Sequence, residues 1–258
     1  MASVSACAKM DNFHFVIVNK PKNNFTTSAP AAEIIQVGGF NLYESDQHFI
    51  KQGSELALYQ SGVREEAYKH LQRFRTAIDI GGHIGIFSRD FATRFECVHT
   101  FEPMPYNFKL LEMNLKAFSN SVRHNCGIGA RQGLIEMRYN FKNSGGSESV
   151  NPKKIFDSDL SSSESDFLVA EVKTLDSFDI YNIDLIKIDV QGMDPSVLTG
   201  SLKTLKRESP LVIVEEKRVK SRPNDSTAID KARNILNSVG YKPFVKVNND
   251  VIFKKDIE

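Results

Sequence analysis

The chain has no long apolar run, no framework of cysteines and almost no net charge, and each lack excludes something. No stretch of its 258 residues approaches the ~18 consecutive apolar residues of a membrane-spanning helix. The N-terminus lacks the apolar core of a secretion signal, so no membrane partner is expected and the expected location is the cytoplasm. Lys and Arg number 33 against 32 Asp and Glu, a net charge of +1. That balance speaks against a broad nucleic-acid surface, although a local basic patch would escape it. The three cysteines, Cys7, Cys97 and Cys126, form no metal-like spacing and imply no disulfide framework, which makes a reducing compartment the default. Cys97 and Cys126 sit in apolar, strand-like runs, where a thiol is expected to pack rather than react. No internal repeat is present. The composition is that of an ordinary globular protein, and the length suits one large α/β domain after a short extension.

What is present is organised around Asp79-Ile-Gly-Gly-His-Ile-Gly-Ile-Phe-Ser88. Arg75-Thr-Ala-Ile78 before it suits a buried strand, and Ile84, Phe87, Phe91 and Phe95 after it recur at helical spacing. A strand, a glycine turn and a helix bring backbone close to a ligand, and glycine has no Cβ to block the approach. A dinucleotide fingerprint would place Gly where Ile80 stands, so that motif is incomplete. An anionic Asp79 would repel a pyrophosphate but suit a ligand with a cationic amino group, such as S-adenosylmethionine. The plainer alternative is a tight turn whose glycines serve packing alone.

Taken in order, residues 1–54 read as an extension, mobile in part, and 55–258 as the main domain. Ile34–Val37 and Phe40–Tyr43 are expected to pair as a hairpin across Gly38-Gly39. Arg64 to Phe74 has helical spacing. Cys97–Phe101 is a second core strand ending in Glu102-Pro-Met-Pro105, and Glu102 stands 23 residues after Asp79. An acidic side chain at about this offset takes ribose hydroxyls in nucleotide-binding βαβ units. Val122–Cys126 is a third strand, opening into Gly127-Ile-Gly-Ala130, a loop of small residues where an adenine could lie. Leu134–Tyr139 and Phe167–Lys173 are further strands. The stretch between them holds Asn143-Ser-Gly-Gly-Ser147 and a Ser- and acid-rich Ser158–Asp166, read as a solvated loop. Asp184–Val190 and Pro210–Glu215 are core strands, Pro195 fits the first turn of a helix ending near Gly200, and Ala228–Val239 is a helix. Tyr241–Val247 and Val251–Phe253 are expected to form a terminal hairpin.

This ordered set resembles the FkbM family of S-adenosylmethionine-dependent methyltransferases. The matching pieces are Asp79–Gly85, Phe101–Pro105, Asn143–Ser147, Val172–Asp176, Ile186-Lys-Ile-Asp-Val-Gln-Gly-Met-Asp194 and Leu198–Leu205. The resemblance implies a class I, Rossmann-like methyltransferase fold: a seven-stranded, mostly parallel sheet with helices on both faces and an antiparallel last strand. It implies O-methylation, often of sugar or natural-product hydroxyls. Asp79, Gly81 and Gly85, with His83 beside them, would then hold the methionine part of the cofactor. Glu102 and Pro103 would lie at its ribose, and Gly127 near its adenine. His83 stands where the family usually has Asn, and Gln191 stands where it has Glu. Gln191 cannot ionise, which puts any divalent metal at that site in question.

Methyl transfer needs alignment of nucleophile and methyl group, and a base for the acceptor proton. Asp189, which would also lie beside the cofactor, is the first candidate base, with Glu215 and Asp194 next. Lys187, two residues before Asp189, should share its sheet face and hold its charge. Asp189 could instead be a helix N-cap, and His99 and His124 are expected to be strand packing. Two other readings remain: a binding protein on a catalytically impaired methyltransferase fold, and an RNA 2′-O-methyltransferase.

Overall fold

Short runs of Val, Ile, Leu and Ala become the central strands because both of their faces are covered. The computed structural model describes residues 33–140, 142–149, 168–216 and 225–256. The described part begins with a hairpin of β1 (Ile34–Val37) and β2 (Phe40–Tyr43), the short helix α1 (Gln47–Ile50), a 3-10 segment over Gly53–Leu58, and α2 (Ser61–Lys69). Then come β3 (Thr76–Ile80), α3 (Ile86–Ala92), β4 (Cys97–Phe101), α4 (Pro105–Asn114) and β5 (Ser121–His124). An inserted part holds β6 (Gly127–Ile128), β7 (Gly133–Arg138), β8 (Glu148–Ser149) and β9 (Leu168–Lys173). The main sheet resumes with β10 (Ile183–Ile188), α5 (Asp194–Thr199), α6 (Leu202–Glu208) and β11 (Leu211–Glu215). It closes with α7 (Asp225–Ser238), β12 (Tyr241–Val247) and β13 (Asp250–Lys255).

Seven strands form the main sheet in the order β12-β13-β11-β10-β3-β4-β5. The five from β11 to β5 are parallel, while β13 runs antiparallel to both β11 and β12. This is the mostly parallel, class I methyltransferase arrangement with its reversed last strand. Alternation along the strands feeds two cores. Ile78, Ile80, Ile186, Ile188, Val212 and Val214 pack with Val197, Leu205 and Leu236 of the later helices. Ala77, Val98, Leu185, Ile213 and Ile252 face the opposite way, onto Val63 and Ala67 of α2 and Phe87 and Phe91 of α3. His99 and His124 stack across β4 and β5 at 5.4 Å, as strand packing.

Several expectations need correction. Gly127 and Ile128 are not a loop: they form β6, paired in parallel with Val172 and Lys173 in a second sheet of order β6-β9-β7-β8. The helix expected over Arg64–Phe74 starts earlier, at Ser61, and stops at Lys69. Phe95 lies beyond the end of α3, although it stays in the same core as Phe91. Cys126 is a free, buried thiol, whereas Cys97 is disulfide-bonded rather than a packing thiol. The readings made for residues 1–32 and for Ser158–Asp166 lie outside the described residues. Among the described residues no helix is long and apolar enough to cross a membrane.

Candidate active site

A cavity of about 350 Å³ opens at the carboxyl ends of β3, β4, β10 and β11, where open α/β sheets bind ligands. Gly81, Gly82 and His83 follow β3, Glu102 and Pro103 follow β4, Asp189 and Gln191 follow β10, and Glu215 ends β11; all of them line it. Gly127 and Ile128 of β6 line it too, with Ile135 and Met137 of β7. The sequence-derived candidates Gly81, His83, Glu102, Pro103, Gly127, Lys187, Asp189 and Glu215 are therefore brought to one place. Asp79, Gly85 and Asp194 are not among the lining residues.

The glycine turn is built for packing against the protein itself. A Cβ on Gly81 would stand 2.0 Å from the Asp189 carbonyl oxygen, and one on Gly82 would stand 2.1 Å from Thr100 Cγ2. At Gly85 the obstacle is Leu111, 2.8 Å away, and its φ of +92° adds backbone strain for any other residue. The protein's own packing against β10, β4 and α4 therefore requires glycine at these positions, and Gly81 and Gly82 also line the cavity. The turn is fixed by amides as well, since Gly81 N–H and Gly82 N–H both donate to the Phe101 carbonyl, at 2.9 and 3.1 Å.

Asp79 is fully buried at the end of β3. Its Oδ2 accepts from Ser88 Oγ at 2.6 Å, Ser88 in turn accepts from Thr100 at 2.7 Å, and Oδ1 lies 3.3 Å from Lys187 Nζ. Oδ2 is thus held by a protein donor, while the buried Oδ1 has the Lys187 ammonium nearby and no hydrogen bond among the described residues. Glu102 is 5% exposed, yet its side chain reaches the cavity. Its Oε2 accepts from His83 N–H and its Oε1 from Met104 N–H, both at 2.9 Å, with a further hydrogen bond from Asn107. Burial raises its pKa to about 7, even though those hydrogen bonds and Lys187 oppose the shift. An ionised carboxylate has about four lone-pair positions, so at least one is left for a ligand hydroxyl.

Lys187 and Asp189 share a face, as the two-residue alternation requires. Lys187 is 5% exposed and lies 3.6 Å from Asp189 Oδ2; it also donates to the Gly81 carbonyl at 3.1 Å. Burial works against its charge, but Asp79 and Asp189 outweigh burial and raise its pKa. Its ammonium also sits 4.9 Å from the Phe87 ring centre, with Arg64 at 4.9 Å from the same centre. Gln191 donates from Nε2 to Asp189 Oδ1 at 3.3 Å, so the amide supports the acid where a glutamate would repel it. The N-cap alternative for Asp189 fails, because α5 begins at Asp194 with Met193 at its cap. Asp194 is buried, with Oδ1 unbonded among the described residues, and burial raises its pKa to about 7.

Other residues at the site carried no readable signal in the sequence. His48, Phe49 and Tyr59 line the cavity from the segment before α2, with rings meeting edge to face. Tyr59 lies in the field of Asp189, Glu215 and Asp250; burial first, and then those acids, raise its pKa. Asp250 is paired with Glu215 across β11 and β13 and is 5% exposed; burial, then Asp189, raises its pKa to about 7. An aromatic or acidic residue 20 or more positions from the motif has no local spacing that marks it; only the topology brings it in. Among the described residues no group of three or more His, Cys, Asp or Glu side chains is placed to hold a metal ion.

A model of the methyltransferase FkbM domain matches residues 79–243, more than half of the chain. No curated protein matches. Among solved structures, a methyltransferase FkbM from Methylobacillus flagellatus KT is 18% identical, with a TM-score of 0.44, over 69% of this chain and 42% of that one. Trm5b from Pyrococcus abyssi is 14% identical, with a TM-score of 0.44, over 86% of this chain and 55% of that one. A SAM-dependent methyltransferase from Aquifex aeolicus is 12% identical, with a TM-score of 0.42, over 78% of this chain and 90% of that one. The chain thus spans about half the length of the first two.

Proposed function

Because the chain belongs to the FkbM methyltransferase family, we propose that it uses S-adenosylmethionine to methylate a hydroxyl on a sugar or another small molecule. The observation that carries this reading is Glu102, a buried carboxylate that closes β4 and reaches into the cavity beside the glycine turn. The donor set fits such a cofactor: Glu102 keeps a lone pair for a ribose hydroxyl, and Gly127, Ile128 and Pro103 offer small and apolar surface for an adenine. Gly81, Gly82 and His83 would flank its methionine part. When bound, the cofactor supplies an activated methyl group. Asp79 would act at one remove, by fixing Lys187 and the turn. No metal is assigned to this site.

On this reading the protein's own work is alignment and proton handling. Asp189 reaches the cavity at the end of β10, where it can accept the acceptor's hydroxyl proton. Lys187 and Gln191 orient it. The aromatic wall of His48, Phe49 and Tyr59 would lie on the acceptor side and pack against its apolar face. Methyl transfer from labelled S-adenosylmethionine to a panel of saccharides and simple alcohols tests the activity, with Asp189→Asn as the control that should abolish transfer while keeping cofactor affinity. Cofactor binding without transfer to any acceptor would favour the impaired-fold reading instead.

A further inference from the structure

Ser144, in the segment that closes one side of the cavity, is 2% exposed. Asp46, His83 and Tyr139 all converge on its hydroxyl. A serine hydroxyl has one proton to give and two lone pairs. Asp46, as a carboxylate, can only accept: its Oδ2 takes Ser144 Oγ–H and also Ser144 N–H at 3.2 Å, and its Oδ1 takes Phe49 N–H at 3.3 Å. The serine proton therefore goes to Asp46. The serine oxygen is left to accept from His83 Nε2, 2.5 Å away. For that, Nε2 must carry a hydrogen.

The His83 ring is neutral, since burial, and after it Lys187 and His48, lower its pKa to about 3. A neutral imidazole has one N–H and one acceptor nitrogen. With Nε2 protonated, Nδ1 holds the lone pair, and no hydrogen bond from a described residue reaches it. His83 itself lines the cavity, its ring packed 4.8 Å from that of Phe49.

We propose that Asp46 and Ser144 are positioning residues that hold His83 in its Nε2–H tautomer, so that Nδ1 offers the cavity an acceptor for a ligand N–H group. The group it would take is the amino group of the cofactor's methionine part, since His83 lines the cavity and Asp79 does not. The identity of that ligand rests on the function proposed above; the tautomer does not. Neither Asp46 nor the geometry of this chain of hydrogen bonds is marked by local spacing, and Asp46 lies outside the 79–243 family match.

Ring-nitrogen NMR of the ¹⁵N-labelled full chain, with the His83 signals assigned by their loss in His83→Gln, reads the tautomer without any ligand. The wild type is expected to show Nε2–H alone. Ser144→Ala and Asp46→Asn should each populate both tautomers and weaken S-adenosylhomocysteine binding about fivefold, the size of one net hydrogen bond. Tyr139→Phe removes a neighbour of Ser144 but leaves the Asp46–Ser144–His83 chain, so it should keep the wild-type tautomer. Unfolding midpoints identify any variant that fails to fold; the wild-type spectrum decides the proposal even then. An Nδ1–H ring in the wild type, or an unchanged ring in both Ser144→Ala and Asp46→Asn, would overturn it. If the wild type shows Nε2–H but binds no S-adenosylhomocysteine, the cofactor reading fails and the positioning role stands.

Discussion

At Glu102, burial and function pull in opposite directions. The ionised form is the better acceptor for ribose hydroxyls, yet burial raises its pKa to about 7. Cofactor affinity should therefore rise with pH between about pH 6 and about pH 8, as the carboxylate loses its proton. Calorimetric titration with S-adenosylhomocysteine across that range checks this, and Glu102→Gln should flatten the profile. Stability moves the other way. A folded pKa raised above the unfolded one means that the native state holds protons the unfolded chain has released, so the raised acids Glu102, Asp194 and Asp250 penalise folding as pH climbs from the ordinary carboxylate range to about 7. Below that window the penalty is absent. The placement of Glu102 at the cavity was legible from its position, 23 residues after Asp79 at a strand end. The enclosure of Asp79 was not, because its partners Ser88, Thr100 and Lys187 come from three different elements. Removing one of them tests that enclosure: Lys187→Met should leave Asp79 buried and unpaired and cost about 3 kcal/mol, measured by denaturant unfolding.

At the level of elements, the strands were legible and the reasons for the turn were not. Apolar runs bounded by Gly, Pro and acids gave β3, β4, β10 and β11 nearly to the residue, because parallel strands covered on both faces leave no room for polar residues. The β12–β13 hairpin followed from Asn248-Asn249 between two apolar runs, and Asn248 has the positive φ such a turn uses. Gly127 and Ile128 misled because two small or apolar residues carry no period, and their strand exists only through a partner some 45 residues on. At the glycine turn the pattern was legible, while the neighbours that demand glycine there, Asp189, Thr100 and Leu111, come from distant elements. Gly81→Ala, with φ at +80° and the Asp189 carbonyl 2.0 Å from the new Cβ, should destabilise the chain by about 3 kcal/mol. Because the Asp189 backbone must shift to admit that methyl, unfolding and the pH dependence of methyl transfer should change together.

At the scale of the whole molecule, the cavity is shared between parts that the family match covers and parts that it does not. The glycine turn, Glu102 and Asp189 lie within residues 79–243, while His48, Phe49 and Tyr59 lie outside. This division suggests where acceptor choice resides. Tyr59→Ala should raise KM for the acceptor about tenfold and leave cofactor affinity unchanged, because the side chain faces the acid end of the cavity and its loss removes uniform binding. Steady-state kinetics with each substrate varied in turn would show this. Equal losses for both substrates would instead place Tyr59 against the cofactor.

The central claim is that the carboxylate closing β4 grips a sulfonium nucleotide beside the glycine turn. Titrating S-adenosylhomocysteine into the wild type and into Glu102→Ala tests it most directly. One saturable site per chain is expected in the wild type, weakened at least about tenfold in the variant with its unfolding midpoint kept. The same affinity in both proteins, or no binding to a folded wild type, would contradict it.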